Sequence, residues 1–282
     1  MSKETLSFLK MHGAGNDFIV IDDRSQQFAL APPVIHKMAQ RHTGIGCDGL
    51  ILWRPPQQNE SAGKMLFFNP DGSQAAFCGN GARCFARFLR ESMTPVPSQL
   101  SFETDAGIIH ASFPAHDEVI ITVPVIEKKI WRLPLKLPNF SHPFYCDYII
   151  AGVPHLILWV DDVERADFET LAPALRYAPE LGPEGANVDF ASWSGSHITL
   201  RTYERGVENE TLACGSGVIA CATSAMKNFN LPTPISVTVR SGYRLEVDFI
   251  QNTPDDPIPV KLKGKAEIVF HGEIALENIT SL

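Results

Sequence analysis

Two spacings of apolar residues alternate along this chain. Short stretches rich in β-branched and aromatic residues read as strands at 5–10, 18–22, 50–53, 65–68, 99–113 and 118–124. The second half repeats the habit at 145–151, 156–161, 197–203, 235–249, 258–263 and 266–271. Helical period replaces it in a few places. Ala82, Phe85, Ala86, Phe88 and Leu89 recur at three and four residues, which predicts a buried helix. Residues 32–41 predict a shorter helix after Pro32-Pro33. Residues 168–172 predict another that stops before Pro173. Polar, glycine-rich turns interrupt the pattern at 11–17, 41–49, 152–155 and 182–187.

The same punctuation precedes two apolar helical runs. Cys78-Gly-Asn-Gly81 opens the first, and Cys214-Gly-Ser-Gly217 opens a second small-residue run. Each is followed by a strand-like segment that ends in glycine, Gly107 and Gly242. Cys214 follows Cys78 by 136 residues and Gly242 follows Gly107 by 135. Two landmarks at one offset predict a duplicated domain with one such cysteine per copy. The boundary falls in the proline-rich segment 124–138. The domains expected are therefore 1–124, with a strand near 268–282 returning to it, and 125–267.

Composition narrows the class. The 282 residues are 44% hydrophobic and 20% charged, as in a globular protein of two ordinary domains. A net charge of −8 gives nucleic acid no electrostatic purchase. No apolar run reaches membrane-spanning length, and the first residues lack a signal-peptide core, so a cytoplasmic setting is expected. There the six cysteines stay reduced. Their spacings give no structural zinc pattern, so no metal is expected. Cys84, Cys146 and Cys221 read as packing residues, and Cys47, in a glycine-rich turn, reads the same way less distinctly.

Cys78 and Cys214 stand apart because a helix start offers free N–H groups and partial positive charge. Such a start binds a carboxylate and favours thiolate over thiol. If the halves face each other, an amino acid's α-carbon lies between two sulfurs. One thiolate removes the proton while the opposite thiol donates one, and configuration inverts. The N–H groups stabilise the enolate-like charge. A buried structural cysteine beside glycine is the plainer reading of either element alone. The duplication and the polar approach segments weigh against it.

Five motifs make the chain similar to the diaminopimelate epimerase family of pyridoxal-phosphate-independent, two-thiol racemases. They are Met-His-Gly-x-Gly-Asn-Asp-Phe at 11–18, Arg-His-x-Gly-Ile-Gly-x-Asp at 41–48, Asn-x-Asp-Gly-Ser at 69–73, Cys-Gly-Asn-Gly-Ala-Arg-Cys at 78–84, and Glu-Arg-Gly at 204–206 ahead of Cys-Gly-Ser-Gly. The resemblance implies an α+β fold of two pseudo-symmetric lobes. Each is a mostly antiparallel, barrel-like sheet around a central helix, with the active site in the cleft between them. It implies Cys78 and Cys214 as acid and base, with His155 and Glu204 as polar helpers. Asn16, Asn69, Asn187 and Arg205 match substrate contacts, and Gly79-Asn80 and Gly215-Ser216 match the helix starts that hold the reacting carboxylate. It further implies a small amino-acid substrate, no cofactor, and a homodimer.

The chain departs from the family pattern at Gly49, where glutamine is frequent, and at Val153, where asparagine is frequent. It also departs at 206–211, one residue longer, and at Ser216, where threonine is frequent. The thiols are spared and the substrate-positioning groups are touched. Gly49 is expected to leave space, and Val153 to remove a hydrogen-bonding amide. A racemase of relaxed specificity that also accepts glutamate, a non-catalytic amino-acid-binding module and a redox-sensing dithiol protein remain open at this level.

Overall fold

Hairpin, crossover helix, parallel strand, antiparallel strand, buried helix, hairpin: this order of elements occurs twice. It is seen in a computed structural model that describes residues 5–28, 31–123, 126–138, 140–195, 197–250, 259–275 and 277. The chain divides into two compact units, Met1–Ile121 with Gly264–Leu282, and Thr122–Lys263. The architecture is α+β and rich in strands.

In the first unit β1 (Thr5–Gly13) and β2 (Asn16–Asp22) form a hairpin. Ala14 and Gly15, both at positive φ, make its two-residue turn. Helix α1 (Pro32–Ala39) then carries the chain to β3 (Gly49–Arg54), which lies parallel to β2 with Phe18 opposite Gly49. Next come β4 (Lys64–Phe68), antiparallel to β3, the short β5 (Gln74–Ala75), and α2 (Gly79–Ser92). The hairpin β6 (Gln99–Thr104) with β7 (Gly107–Ser112) follows, and β8 (Glu118–Val123) reaches the unit boundary.

Strands β2 and β3 are apolar without alternation because both faces are covered. Ile19, Ile21, Leu50 and Leu52 join Ile35 and Met38 of α1 in one core. Phe18 and Ile51 lie beside Gly81 on the α2 side. Every residue of α2 from Asn80 to Leu89 is buried. Its Phe85 packs edge-on to Phe102 of β6, and Phe88 to Trp53 of β3. Each such ring withdraws apolar surface worth about 1.5–3 kcal/mol.

The second unit opens with β9 (Ile126–Leu135), antiparallel to β10 (Phe144–Ala151). Segment 124–138, where the domain boundary was expected, is mostly strand, and the units divide just before it, between Ile121 and Thr122. Residues 124, 125 and the side chain of 126 lie outside the description. Strand β11 (Val153–Trp159) forms a hairpin with β10. Only Gly152, at φ +77°, keeps the turn conformation expected for 152–155; Val153, Pro154 and His155 belong to the strand. Helix α3 (Phe168–Arg176) runs through Pro173 instead of ending before it. Phe168, Ala172 and Leu175 bury one face of α3 in the core with Leu156, Val188 and Phe190. That burial outweighs the one intrahelical bond that proline removes.

Strand β12 (Asn187–Trp193) lies parallel to β11 with His155 opposite Asn187. Strand β13 (Ile198–Glu204) turns back along it and meets β14 (Asn209–Thr211). Helix α4 (Gly215–Phe229) is again buried, and Asn230 ends it in the left-handed conformation. It packs on β10, β11, β12 and β13. Strands β15 (Ile235–Thr238), β16 (Arg244–Phe249) and β17 (Val260–Lys265) complete the unit. Finally β18 (Glu267–Ala275) returns to the first unit, antiparallel to β1. The rest of the strand expected at 268–282 falls at 276 and 278–282, outside the described residues.

Candidate active site

The two-residue turn of the first unit delivers Asn16 to the end of β2. The Asn16 amide donates to Asp48 Oδ2 at 2.7 Å, which fixes which end of the amide is the oxygen. That oxygen receives the Asn80 amide at 3.3 Å and faces Cys78 Sγ at 4.0 Å. Cys78 is half-buried and sits at the N-cap of α2, where its sulfur accepts the Gly81 N–H at 3.5 Å. The helix start, the thiol and two amides thus form one polar group.

Behind it lies a charged frame. Arg41 pairs with Asp17 at 2.8 Å and Asp48 at 2.5 Å, and Lys10 bonds Asp17 at 2.5 Å and the Gly46 carbonyl. Burial and the neighbouring Asp17 push the Asp48 carboxyl above its ordinary range. Asp17 pays a burial penalty too, but Arg41 and Lys10 outweigh it and hold its carboxyl below that range. Arg83, fully buried, donates to Asn80 Oδ1 at 2.7 Å and to the Gly79 carbonyl at 3.4 Å. Burial lowers it to about 10.

Asn69 is half-buried in the turn after β4, where its amide bonds Ser73 Oγ at 3.0 Å. Gly72 takes φ +85° and approaches Pro32 so closely that a Cβ would stand 2.5 Å from it. The space expected at Gly49 is absent. A Cβ there would lie 2.4 Å from the ring of Phe67, which occupies the volume a longer residue would need.

The second unit builds its group on β11, β12 and α4. Cys214, the N-cap of α4, is buried, with Sγ 3.4 Å from Ser216 Oγ. Burial, then Glu204 and Asp189, push its thiol well above the ordinary range. His155 Nε2 lies 2.9 Å from Ser216 Oγ, and Nδ1 lies 2.6 Å from Asp189 Oδ2. Both His155 and Asp189 are 0% exposed. Thr202 Oγ1 donates to the second Asp189 oxygen at 2.6 Å. Gly217 lets α4 come this close, since a Cβ there would stand 2.7 Å from Asp189 Oδ1.

Asn187 is buried; its oxygen accepts the Arg205 N–H at 2.7 Å and its amide meets His155 Nε2 at 3.3 Å. The Arg205 guanidinium is half-buried, 3.6 Å from the exposed Glu184. Glu204, at the end of β13, accepts Thr211 Oγ1 at 2.8 Å. The longer segment 206–211 becomes a hairpin in which Glu208, at φ +55°, accepts from Arg176 at 2.9 Å and from the Gly206 N–H.

Each unit thus gathers its own share of the expected residues. Asn16, Asn80 and Cys78 meet in the first, with Asn69 in a neighbouring turn. His155, Asn187, Ser216 and Cys214 meet in the second, with Glu204 and Arg205 at the following turn. Asp17, Asp48 and Arg83 lie within the sequence motifs without an assigned role, and the sequence reading did not single out Asp189 or Thr202. Asp189 did carry a signal. A lone carboxylate between Val188 and Phe190 in a buried strand needs partners.

The fold is shared with PhzF-family and proline racemase-type structures, and in this chain a cysteine opens the buried helix of each unit. A PhzF-family phenazine biosynthesis protein from Bacillus anthracis superposes with a TM-score of 0.74 at 13% identity, over 96% of this chain and 99% of that one. A hydroxyproline epimerase from Agrobacterium vitis superposes with a TM-score of 0.70 at 15% identity, over 98% and 94%. At the sequence level the diaminopimelate epimerase model matches residues 8–125 and 148–267. A diaminopimelate epimerase of Aquifex aeolicus is 38% identical over 96% of this chain and 99% of its own, and one of Methanocella arvoryzae is 34% identical over 96% and 98%. The chain belongs to the diaminopimelate epimerase family.

Proposed function

We propose that this protein interconverts LL- and meso-diaminopimelate by proton transfer at the α-carbon, an isomerase step toward lysine and peptidoglycan precursors. The observation that carries the reading is the repeated placement of a cysteine at the N-cap of a buried helix, within a chain of this family. In this reading Cys78 and Cys214 are the two bases. The N–H groups of Gly79-Asn80 and Gly215-Ser216 hold the reacting carboxylate and stabilise its developing charge. Asn16, Asn69, Asn187 and Arg205 orient the substrate, and His155 and Glu204 serve the thiols. We infer a homodimer acting in the cytoplasm, with no cofactor. No helix of the described residues is long and apolar enough to cross a membrane.

The test is incubation with pure LL-diaminopimelate in deuterated water. Formation of the meso isomer with deuterium at the inverted α-carbon is expected. Binding without inversion or deuterium gain would replace catalysis by an amino-acid-binding role.

A further inference from the structure

We infer that Asp189 and Ser216 complete a proton relay behind Cys214, running Cys214–Ser216–His155–Asp189, in which Ser216 carries the proton and Asp189 is a positioning residue. The inference rests on the epimerase reading and adds to it two roles, and a direction of proton flow.

The hydrogen bonds fix that direction. Asn187 Oδ1 accepts a backbone N–H, so its amide nitrogen is the end that meets His155 Nε2. An N–H can meet Nε2 this way only if Nε2 is the bare acceptor nitrogen. The ring proton therefore sits on Nδ1 and is donated to Asp189 Oδ2 at 2.6 Å. Thr202 donates to the other Asp189 oxygen, so each oxygen of that carboxylate accepts one hydrogen bond. Ser216 Oγ, 2.9 Å from the bare Nε2, donates there too, and as the shorter contact it takes the larger share of the one lone pair that it divides with the Asn187 amide. Its lone pairs are left facing the Cys214 thiol at 3.4 Å. All donors point one way, from sulfur to imidazole.

The step balances without any outside reagent. The Cys214 S–H proton passes to Ser216 Oγ as the Ser216 proton passes to His155 Nε2. A thiolate and an imidazolium result, the latter facing Asp189, and the reverse transfers restore the thiol. Burial, Glu204 and Asp189 keep the proton on sulfur at rest. Cys214 therefore needs such an acceptor whenever it acts as the base. The charged and titratable groups around the relay are Asp189 on β12, Glu204 on β13, and Cys214 and Cys221 on α4.

Nitrogen-15 NMR of histidine-labelled free protein tests the tautomer without any substrate. His155 should show a protonated Nδ1 and a bare Nε2, and Asp189→Asn should shift that pattern. Activity tests the carrier. Ser216→Ala should lower kcat about a hundredfold with little change in KM, as for loss of general acid–base assistance. Ser216→Thr, which keeps the hydroxyl, should restore most of the lost rate. Asp189→Asn should lower kcat with little change in KM, measured at a temperature where the variant is folded. A protonated Nε2 in the parent overturns the relay, and so does a Ser216→Ala protein with kcat within about threefold of the parent. If diaminopimelate proves not to be turned over, the tautomer still decides the relay, and the two failures stay separate.

Discussion

Among the side chains, the two thiols carry the reading most directly. Cys78→Ala and Cys214→Ala should each abolish epimerisation, and each serine variant should be greatly weakened because a hydroxyl ionises far less readily than a thiol. Steady-state assays on the four proteins check this. A second expectation concerns the other cysteines. Burial raises Cys47 and Cys146 to about 12, and raises Cys84 and Cys221 as well. A raised thiol holds its proton at pH 8 and offers little reactive thiolate, so a small alkylating reagent should modify half-buried Cys78 first. Peptide mass mapping over time would show the order, with the four core thiols labelled only on unfolding. Val153 is half-buried at the first position of β11, and the proposed function gives it a part in substrate choice. Val153→Asn should raise kcat/KM for diaminopimelate relative to glutamate, measured on both substrates in both proteins. The same claim at Gly49 does not stand, because Phe67 fills the volume.

The elements explain which parts of the site were readable. The helical period of 82–89 and the glycines beside each cysteine were plain in the sequence. Helices α2 and α4 begin where those signals place them. What was hidden depends on contacts between distant strands. Asp48 meets Asn16 only because β3 lies parallel to β2, and Asp189 meets His155 only because β12 lies parallel to β11. Local pattern does not reveal a parallel register. Pro173 misled for a similar reason, since core burial of α3 overrode a local rule. Gly217 offers a test at this scale. Alanine in a helix gains up to about 1 kcal/mol over glycine. A methyl group 2.7 Å from Asp189 Oδ1 forces overpacking that costs about 1–3 kcal/mol. Gly217→Ala should therefore lower the unfolding free energy in urea and lower kcat with it.

Over the molecule as a whole, charge and strand order have separate consequences. Asp17 stands below its ordinary 3.8 despite burial, because Arg41 and Lys10 bind its charged form. A lowered folded-state value adds stability above the unfolded value, and that stability is lost as pH falls through the folded one. Unfolding free energy of the parent should decline between about pH 5 and pH 3, and Asp17→Asn should be less stable at pH 7 with a shallower decline. Urea titrations across that range measure it.

The pairing of β18 with β1 has a consequence for how the chain is made. The second unit is one uninterrupted stretch, whereas the first is closed by residues from beyond it. On the ribosome, β1 emerges early and must wait for its partner until 267–275 have been synthesised. The unit that starts first is finished last. The second unit can fold while β1 still has an open edge, so nascent chains depend on that edge staying unpaired with other strands.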